Sequence, residues 1–480
     1  MHTNVAQAIA RRDRGEPVST GLRTGVAFVV LALLAIAADL MIGPGAWFFA
    51  VVGSVLLTVV VSRPFVGIAV LMSSFMIEYP KALQGTGFLT INNVLGLILL
   101  VLLTQRVYVT EDRWFTGNRE VRLLFLIGIC YVVSGYFNGP PTSLLELIGS
   151  PPPSDDVRLY FNRVAFVIFF ASFIRTSGHV RLIYALAIAF MVGSAIVGVW
   201  EVLHGGGVSG FRASTEQALI RQAWNPNRLA LFSIIAIGAL WYALQNVYNP
   251  VFRGGIVAIV LVLILGVFMT ASRSGLLGLL TCMGFIAVEQ GLSLRRLLGM
   301  MLVGTLALVL VLQLVPEKSL DRIANLPGTG STSSDIGTGS LERRQYGFEI
   351  GFEIIKENIL LGVGAGNWDI TRFLHDPTGS TAAPHNSYLQ AMAEGGLVCV
   401  LAFLGLFWGT WNNFKVAESL LPRGRLRDLD WVVKGARVGL LTLVVFSMFA
   451  DLWQSIVLFW LVGLGIALRR YAEDLNPVSA

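Results

Sequence analysis

Charge is what this chain has least of. Only 13% of its 480 residues are Asp, Glu, Lys or Arg, where a soluble domain carries roughly 25%. With 55% hydrophobic residues and a mean hydropathy of +0.71, the deficit excludes a soluble domain. Cysteine is scarce as well. Cys130, Cys282 and Cys399 each lie inside an apolar run and form no CxxC pair, so they read as small buried apolar residues rather than metal ligands or disulfides. Of the five histidines, His2, His179, His204 and His375 are scattered, and no HExxH stands anywhere in the chain. That pattern offers no zinc site. A net charge of +6 would raise nucleic acid as a partner, but the basic residues sit in short loops with no aromatic-interleaved patch, so nucleic-acid binding is not expected.

What the chain has in abundance is long apolar runs. A bilayer core of about 30 Å needs roughly 20 apolar residues per helical span. The runs predict about fourteen spans: 24–42, 45–62, 64–79, 88–104, 121–137, 159–175, 180–203, 227–246, 254–270, 274–289, 297–315, 387–412, 435–452 and 454–469. The expected class is an all-α polytopic membrane protein. Its parts are a 1–23 cytoplasmic segment, a 24–315 membrane region, a 316–386 outer loop, 387–469 C-terminal spans and a 470–480 cytoplasmic tail. The first run follows a polar, Arg-containing stretch with no small-residue cleavage site, so it is expected to be retained rather than removed as a signal peptide. Arg11, Arg12, Arg14 and Arg23 place the N-terminus in the cytoplasm. Counting alternately, the basic loops with Arg63, Arg106 to Arg122, Arg175 and Arg181, Arg253, Arg295 and Arg296, Lys415 to Arg437, and Arg469 and Arg470 all fall on that side.

The opposite, outer face receives the long connections. Residues 138–158 are Pro-rich and acidic, 204–226 form a polar loop, and 316–386 form the largest. Within the last, Gly328–Ser340 has linker composition and is predicted to be mobile. Leu341–Leu361 reads as an amphipathic helix with Phe348, Phe352 and Ile355 on one face, suited to lie along the outer interface.

Four polar constellations map to this face. Gly210-Phe211-Arg212, with Arg221 and Asn225-Pro226-Asn227, either starts a helix or grips an anionic headgroup through an Arg fork. Ser272-Arg273-Ser274 joins two apolar runs almost without a loop. Arg273 therefore sits at the interface, as a functional cation or as a side chain snorkelling to lipid. Arg343-Arg344 opens the loop helix, and Gly362-Val363-Gly364-Ala365-Gly366-Asn367 follows it. This glycine run follows a helix, not a strand, which excludes a nucleotide fingerprint and leaves a turn folding the loop back onto the bundle. Pro384-His385-Asn386-Ser387-Tyr388 leads into a span containing Ala393-Glu394-Gly395-Gly396. His385 is an interfacial hydrogen-bonding residue or a general base, since imidazole titrates near neutrality. Glu394, inside a span, needs a partner or water.

Taken in order, Asn225-Pro226-Asn227, Ser272-Arg273, Arg344, the Gly362–Asn367 run, Pro384–Tyr388 and Ala393–Gly396 resemble the O-antigen ligase and Wzy polymerase family across roughly 200–410. The resemblance implies a GT-C-like glycosyltransferase that draws a glycan from undecaprenyl diphosphate at the periplasmic face of the inner membrane. The acceptor would be another lipid-linked repeat unit (polymerase) or lipid A-core (ligase). It implies His385 and Arg273 as catalytic residues. Arg212 or Arg221, Arg344, Asn227, Asn386, Tyr388 and Glu394 would contact diphosphate or glycan. Membrane lipid, an acceptor glycan lipid and a chain-length regulator or export protein would be its partners, with no metal and no cofactor. The chain departs from the family pattern in carrying Phe348 where Trp often follows the loop-helix Arg, and in its Gly/Ser-rich insertion. Retaining glycosidases need two carboxylates, and the sequence shows no compelling outer pair, so inversion is expected. The reading from a different class is a transporter or flippase, against which stands the concentration of polar residues at one face.

Overall fold

The computed structural model describes residues 55, 57–76, 91–110, 112–139, 153–201, 226–270, 272–291, 335–376, 384–421 and 423–476. Spans 24–42 and 297–315, most of 45–62, and both Arg212 and Arg221 lie outside them. The helices, in order, are α1 (Pro64–Met76), α2 (Ile91–Thr110), α3 (Trp114–Gly117), α4 (Arg119–Asn138), α5 (Pro153–Phe173), α6 (Ser177–Glu201) and α7 (Pro226–Asn246). They continue with α8 (Pro250–Met269), α9 (Arg273–Glu289), α10 (Asp335–Glu357), α11 (Trp368–His375), α12 (Ser387–Leu420), α13 (Arg423–Phe446) and α14 (Ile456–Leu475). Among the described residues no strand occurs, and six helices are long and apolar enough to cross a bilayer: α2, α4, α6, α7, α8 and α12. This is an all-α polytopic membrane protein.

Burial sorts the bundle into centre and rim. α7 is buried continuously from Leu229 to Ala239, and α14 from Ile456 to Leu468. By contrast α2 exposes Leu97, Leu100 and Val101, and α8 exposes Val251, Phe252 and Leu261. In water such a surface would aggregate; in a bilayer it is solvated by lipid tails. The central helices touch through small residues, as membrane helices do where packing drives association. A Cβ on Gly435 would lie 2.9 Å from Ala239 Cα, and one on Gly278 would lie 2.4 Å from the Phe446 ring.

Several boundaries differ from the sequence expectation, each for a local reason. α5 begins at Pro153, inside the stretch expected as outer loop. Proline occupies its first position, and Asp155 and Asp156 meet the positive end of the helix dipole. α10 begins at Asp335, so Asp335–Ser340 is helix rather than the predicted mobile linker. Its buried face is Ile350, Ile354 and Ile355 against Trp368, Leu389 and Ala393, with Phe348 partly covered and Phe352 exposed. The expected Phe348/Phe352/Ile355 face is thus rotated. The cause is Gly351, which lets α10 press onto α12; a Cβ there would be 2.7 Å from Leu389 Cδ2. Finally, the expected span 435–452 is helical only to Phe446; the chain then turns through residues 447–455.

α12 is broken by design of its sequence. At Gly396 the backbone takes φ +75°, which interrupts the helical ladder. The freed carbonyls of Ala393 and Glu394 accept from Val363 N (2.9 Å) and Gly364 N (2.7 Å), while Leu397 N donates to Ile359 O (2.9 Å). Asn367 Nδ2 and Asn138 Nδ2 complete the set by donating to Val363 O (2.7 Å) and Gly362 O (2.9 Å). The Gly362–Asn367 run and the Ala393–Gly396 break are therefore one structure, the turn that docks the segment after α10 onto α12. A Cβ at Gly396 would meet Leu360 O at 2.1 Å. Gly396→Ala should accordingly cost several kcal/mol, on the order of the largest single-site effects. Thermal unfolding of the detergent-extracted protein would report it, and an unchanged midpoint would contradict this account of the turn.

Candidate active site

The site assembles where α7, α9, α10, α12 and the 447–455 turn meet. α9 starts at the Ser272-Arg273 junction because the Ser272 hydroxyl caps it, accepting from Gly275 N at 3.0 Å. The same hydroxyl donates to Asn227 Oδ1 at 2.8 Å, and Ser274 Oγ lies 2.9 Å from Ser272 Oγ. Asn227, one residue into α7, thus ties the start of that helix to the Arg273 junction. Two of the sequence constellations are one interhelical contact.

α12 starts at Asn386, whose side chain accepts from Tyr388 N (2.9 Å) and Leu389 N (3.0 Å). The residue before it, His385, is the one non-glycine residue with positive φ (46°) among the described residues. That conformation is uncommon outside glycine and marks a position held by its surroundings. Its Nδ1 lies 3.2 Å from Asp451 Oδ2, and the His side chain remains 40% exposed. Asp451 belongs to the 447–455 turn and was not singled out by sequence.

Arg344, expected to open the loop helix, instead lies near the middle of α10 and is half-buried in the same neighbourhood. Burial lowers the proton affinity of its guanidinium, the nearby Arg273 lowers it further, and Asp451 partly offsets both. Two guanidinium groups and one carboxylate therefore share one field, with His385 paired to that carboxylate. Like charges held this close are destabilising unless an anion lies between them. Asp369 of α11 is also within electrostatic reach of Asp451 and of Asp156 of α5, and Arg163 of α5 faces Asp156 and Arg228. Asp369 and Asp451, neither singled out by sequence, bring two carboxylates within electrostatic reach of each other here.

The remaining expected residues are placed as follows. Tyr388 turns inward; its hydroxyl donates to Val444 O at 2.8 Å and its ring packs near Phe403 and Phe407. Glu394 is buried beside the docking turn and accepts from Gln390 Nε2 at 3.2 Å. Asn386 acts as a helix cap. His385, Arg273, Arg344 and Asn227 are the expected residues that the fold gathers. Asp451 of the 447–455 turn, Arg163 in the middle of α5 and Asp369 in the first turn of α11 join them.

At the other end of the bundle lies a separate charged layer. Arg175 and Arg470 converge on Asp112, with Arg470 Nη2 3.2 Å from Asp112 Oδ2, and Arg437 bridges Glu289 (3.0 Å) and Glu418 (2.6 Å). Arg469 reaches Asn413, far along α12 from Ser387. Of the arginines that the loop-charge reading put on one face, Arg106, Arg175 and Arg470 share the field of Asp112.

Residues 257–404 match a family model described as O-antigen ligase. No curated protein matches the chain. The matched stretch contains Arg273, Arg344 and His385, and over those residues the chain is similar to the O-antigen ligase family.

Proposed function

We propose that this protein is an inverting, metal-independent glycosyltransferase of the inner membrane, with its site on the periplasmic side. It would move a glycan from undecaprenyl diphosphate to a sugar hydroxyl. The observation that carries the reading is the His385–Asp451 pair standing in the field of Arg273 and Arg344.

The chemistry follows from those groups. A diphosphate needs its developing negative charge met as the glycosidic C–O bond breaks. Arginine forks suit its oxygens, and preorganised cations in a water-poor site stabilise such charge strongly. Asp451 engages Nδ1 of His385 and so orients the ring. Nε2 would then take the proton of the acceptor hydroxyl as its oxygen bonds to the anomeric carbon. The electron pair of the broken bond leaves on the diphosphate, and the imidazolium formed is stabilised by Asp451, a step worth about 10²–10⁴-fold. Attack from the side opposite the leaving group inverts the anomeric centre. Arg212 or Arg221 is a further diphosphate contact in this reading, and Asn227 places Arg273 through Ser272.

Two acceptors fit. Polymerisation, in which a second lipid-linked repeat unit accepts, is our first reading, since no feature of the sequence marks a lipid A-core site and the outer loop is long. Transfer to lipid A-core is the second, favoured by the description of the matching family. Purified protein incubated with a lipid-diphosphate oligosaccharide alone separates them. Lengthened product means polymerase, and reaction only after lipid A-core is added means ligase. Movement of the lipid across vesicles without any glycosidic product would replace both with a flippase.

A further inference from the structure

Resting on that reading, we infer that Ser387 is a positioning residue that sets Asp451 against His385. Ser387 is fully buried, two residues beyond His385 at the first turn of α12. Its hydroxyl makes two bonds at once, donating to Ala450 O (2.7 Å) and accepting from Leu452 N (2.7 Å). Those are the two neighbours of Asp451. Its own amide donates to Ser447 O at 2.8 Å. One side chain therefore grips the backbone on both sides of the acid, while its main chain carries the base.

The need for such a grip is visible in the elements. Asp451 lies outside any helix, in the irregular turn between α13 and α14, and His385 holds a positive φ just outside α12. Neither residue is fixed by a helical ladder, so their 3.2 Å approach depends on what joins the two segments. Ser387 supplies that join with its single O–H donor and one of its two acceptor sites, one on each side of the acid. The rest of the turn has its own anchors. Arg163 Nη1 donates to Gln454 O, and the Trp453 ring packs 4.8 Å from that of Tyr131. Loss of the Ser387 hydroxyl should thus leave the turn in place and loosen only the stretch that carries Asp451.

The test is a double-mutant cycle between Ser387→Ala and Asp451→Asn in the purified full-length protein. Transfer is assayed with a short polyprenyl-diphosphate oligosaccharide and its acceptor, and kcat is read separately from KM. Ser387→Ala is expected to lower kcat about 10- to 100-fold, as a misplacement near 1 Å can, with KM within about twofold because the arginine contacts to the donor are untouched. In the Asp451→Asn background the same substitution should have little further effect, since the residue it positions is already disabled. Losses that multiply in the double variant, or a wild-type kcat for Ser387→Ala, would overturn the inference. If the Ala protein does not survive extraction, Ser387→Cys takes its place, keeping the volume but bonding poorly. His385→Ala run alongside distinguishes the failures. Full transfer by that variant would defeat the proposed function itself, whereas its inactivity together with multiplying losses would defeat only the role of Ser387.

Discussion

Replacing His385 with Ala is expected to lower transfer about 10²- to 10⁴-fold, the range for loss of a general base, in a protein that still extracts as a folded species. The side chain is 40% exposed and pairs with Asp451, so little packing is lost. The backbone is the complication. At φ 46° alanine is disfavoured, while asparagine tolerates that region several-fold better. His385→Asn is therefore the cleaner variant, because it keeps the conformation and removes the base. Both variants should be equally impaired in kcat. If Asn were active and Ala were not, the residue would be acting through its backbone, and the base assignment would fall. Asp451→Asn should show a smaller loss than either, since the imidazole remains and only its orientation and the stabilisation of its charged form are weakened.

The second large effect belongs to the arginines. Arg273→Ala and Arg344→Ala should each reduce kcat about 10²- to 10³-fold, as removal of a single preorganised stabilising group does. Lysine should restore only part of it, because a point charge cannot reproduce the two-pronged contact to phosphate oxygens. Stability should move the other way. Burial and the neighbouring Arg273 lower the proton affinity of Arg344 in the folded protein, which means its charge is costly there. The penalty is present at neutral pH, where Arg344 is charged in both folded and unfolded chains, and it is relieved only as pH rises through the lowered folded pKa toward the unfolded one. Arg344→Ala should remove the cost outright. The variant is expected to unfold at a temperature equal to or above that of the parent while losing its activity. Added polyprenyl diphosphate should stabilise the parent and not the variant. A variant that is both less stable and catalytically normal would show that Arg344 is a structural residue.

Much of this site could be read before any coordinates. Apolar runs located α4, α6, α7, α8 and α9 to within a few residues, and the starts of α2 and α12, which run on past 104 and 412 to Thr110 and Leu420, because lipid forces every backbone polar group into an internal ladder and so leaves helix as the solution. Arg273 and His385 stood out as polar residues at the mouths of such runs, and Arg344 as part of the loop-helix motif. What stayed hidden was pairing across distance. Asp451 lies at the end of an apolar run expected to be helix to residue 452, and it reads as a span terminus until the chain is seen to leave the helix at Phe446. Arg163 was absorbed into a span in the same way. The union of Gly362–Asn367 with Ala393–Gly396 was equally out of reach, since each run alone describes a turn or a break, and only their shared hydrogen bonds make them one element. The rotation of α10 hung on one glycine, whose missing side chain does not register in a count of apolar residues.

The claim on which everything else depends is that the paired imidazole activates a sugar hydroxyl for a single displacement at an anomeric carbon held through its diphosphate. The configuration of the new linkage tests it most directly. Donor of known anomeric configuration is incubated with purified protein and acceptor, and the product is read by NMR alongside the release of polyprenyl diphosphate. Inverted linkages, formed one for each diphosphate released, are the predicted result. A retained linkage would contradict it, pointing instead to a carboxylate such as Asp369 or Asp451 as a covalent nucleophile.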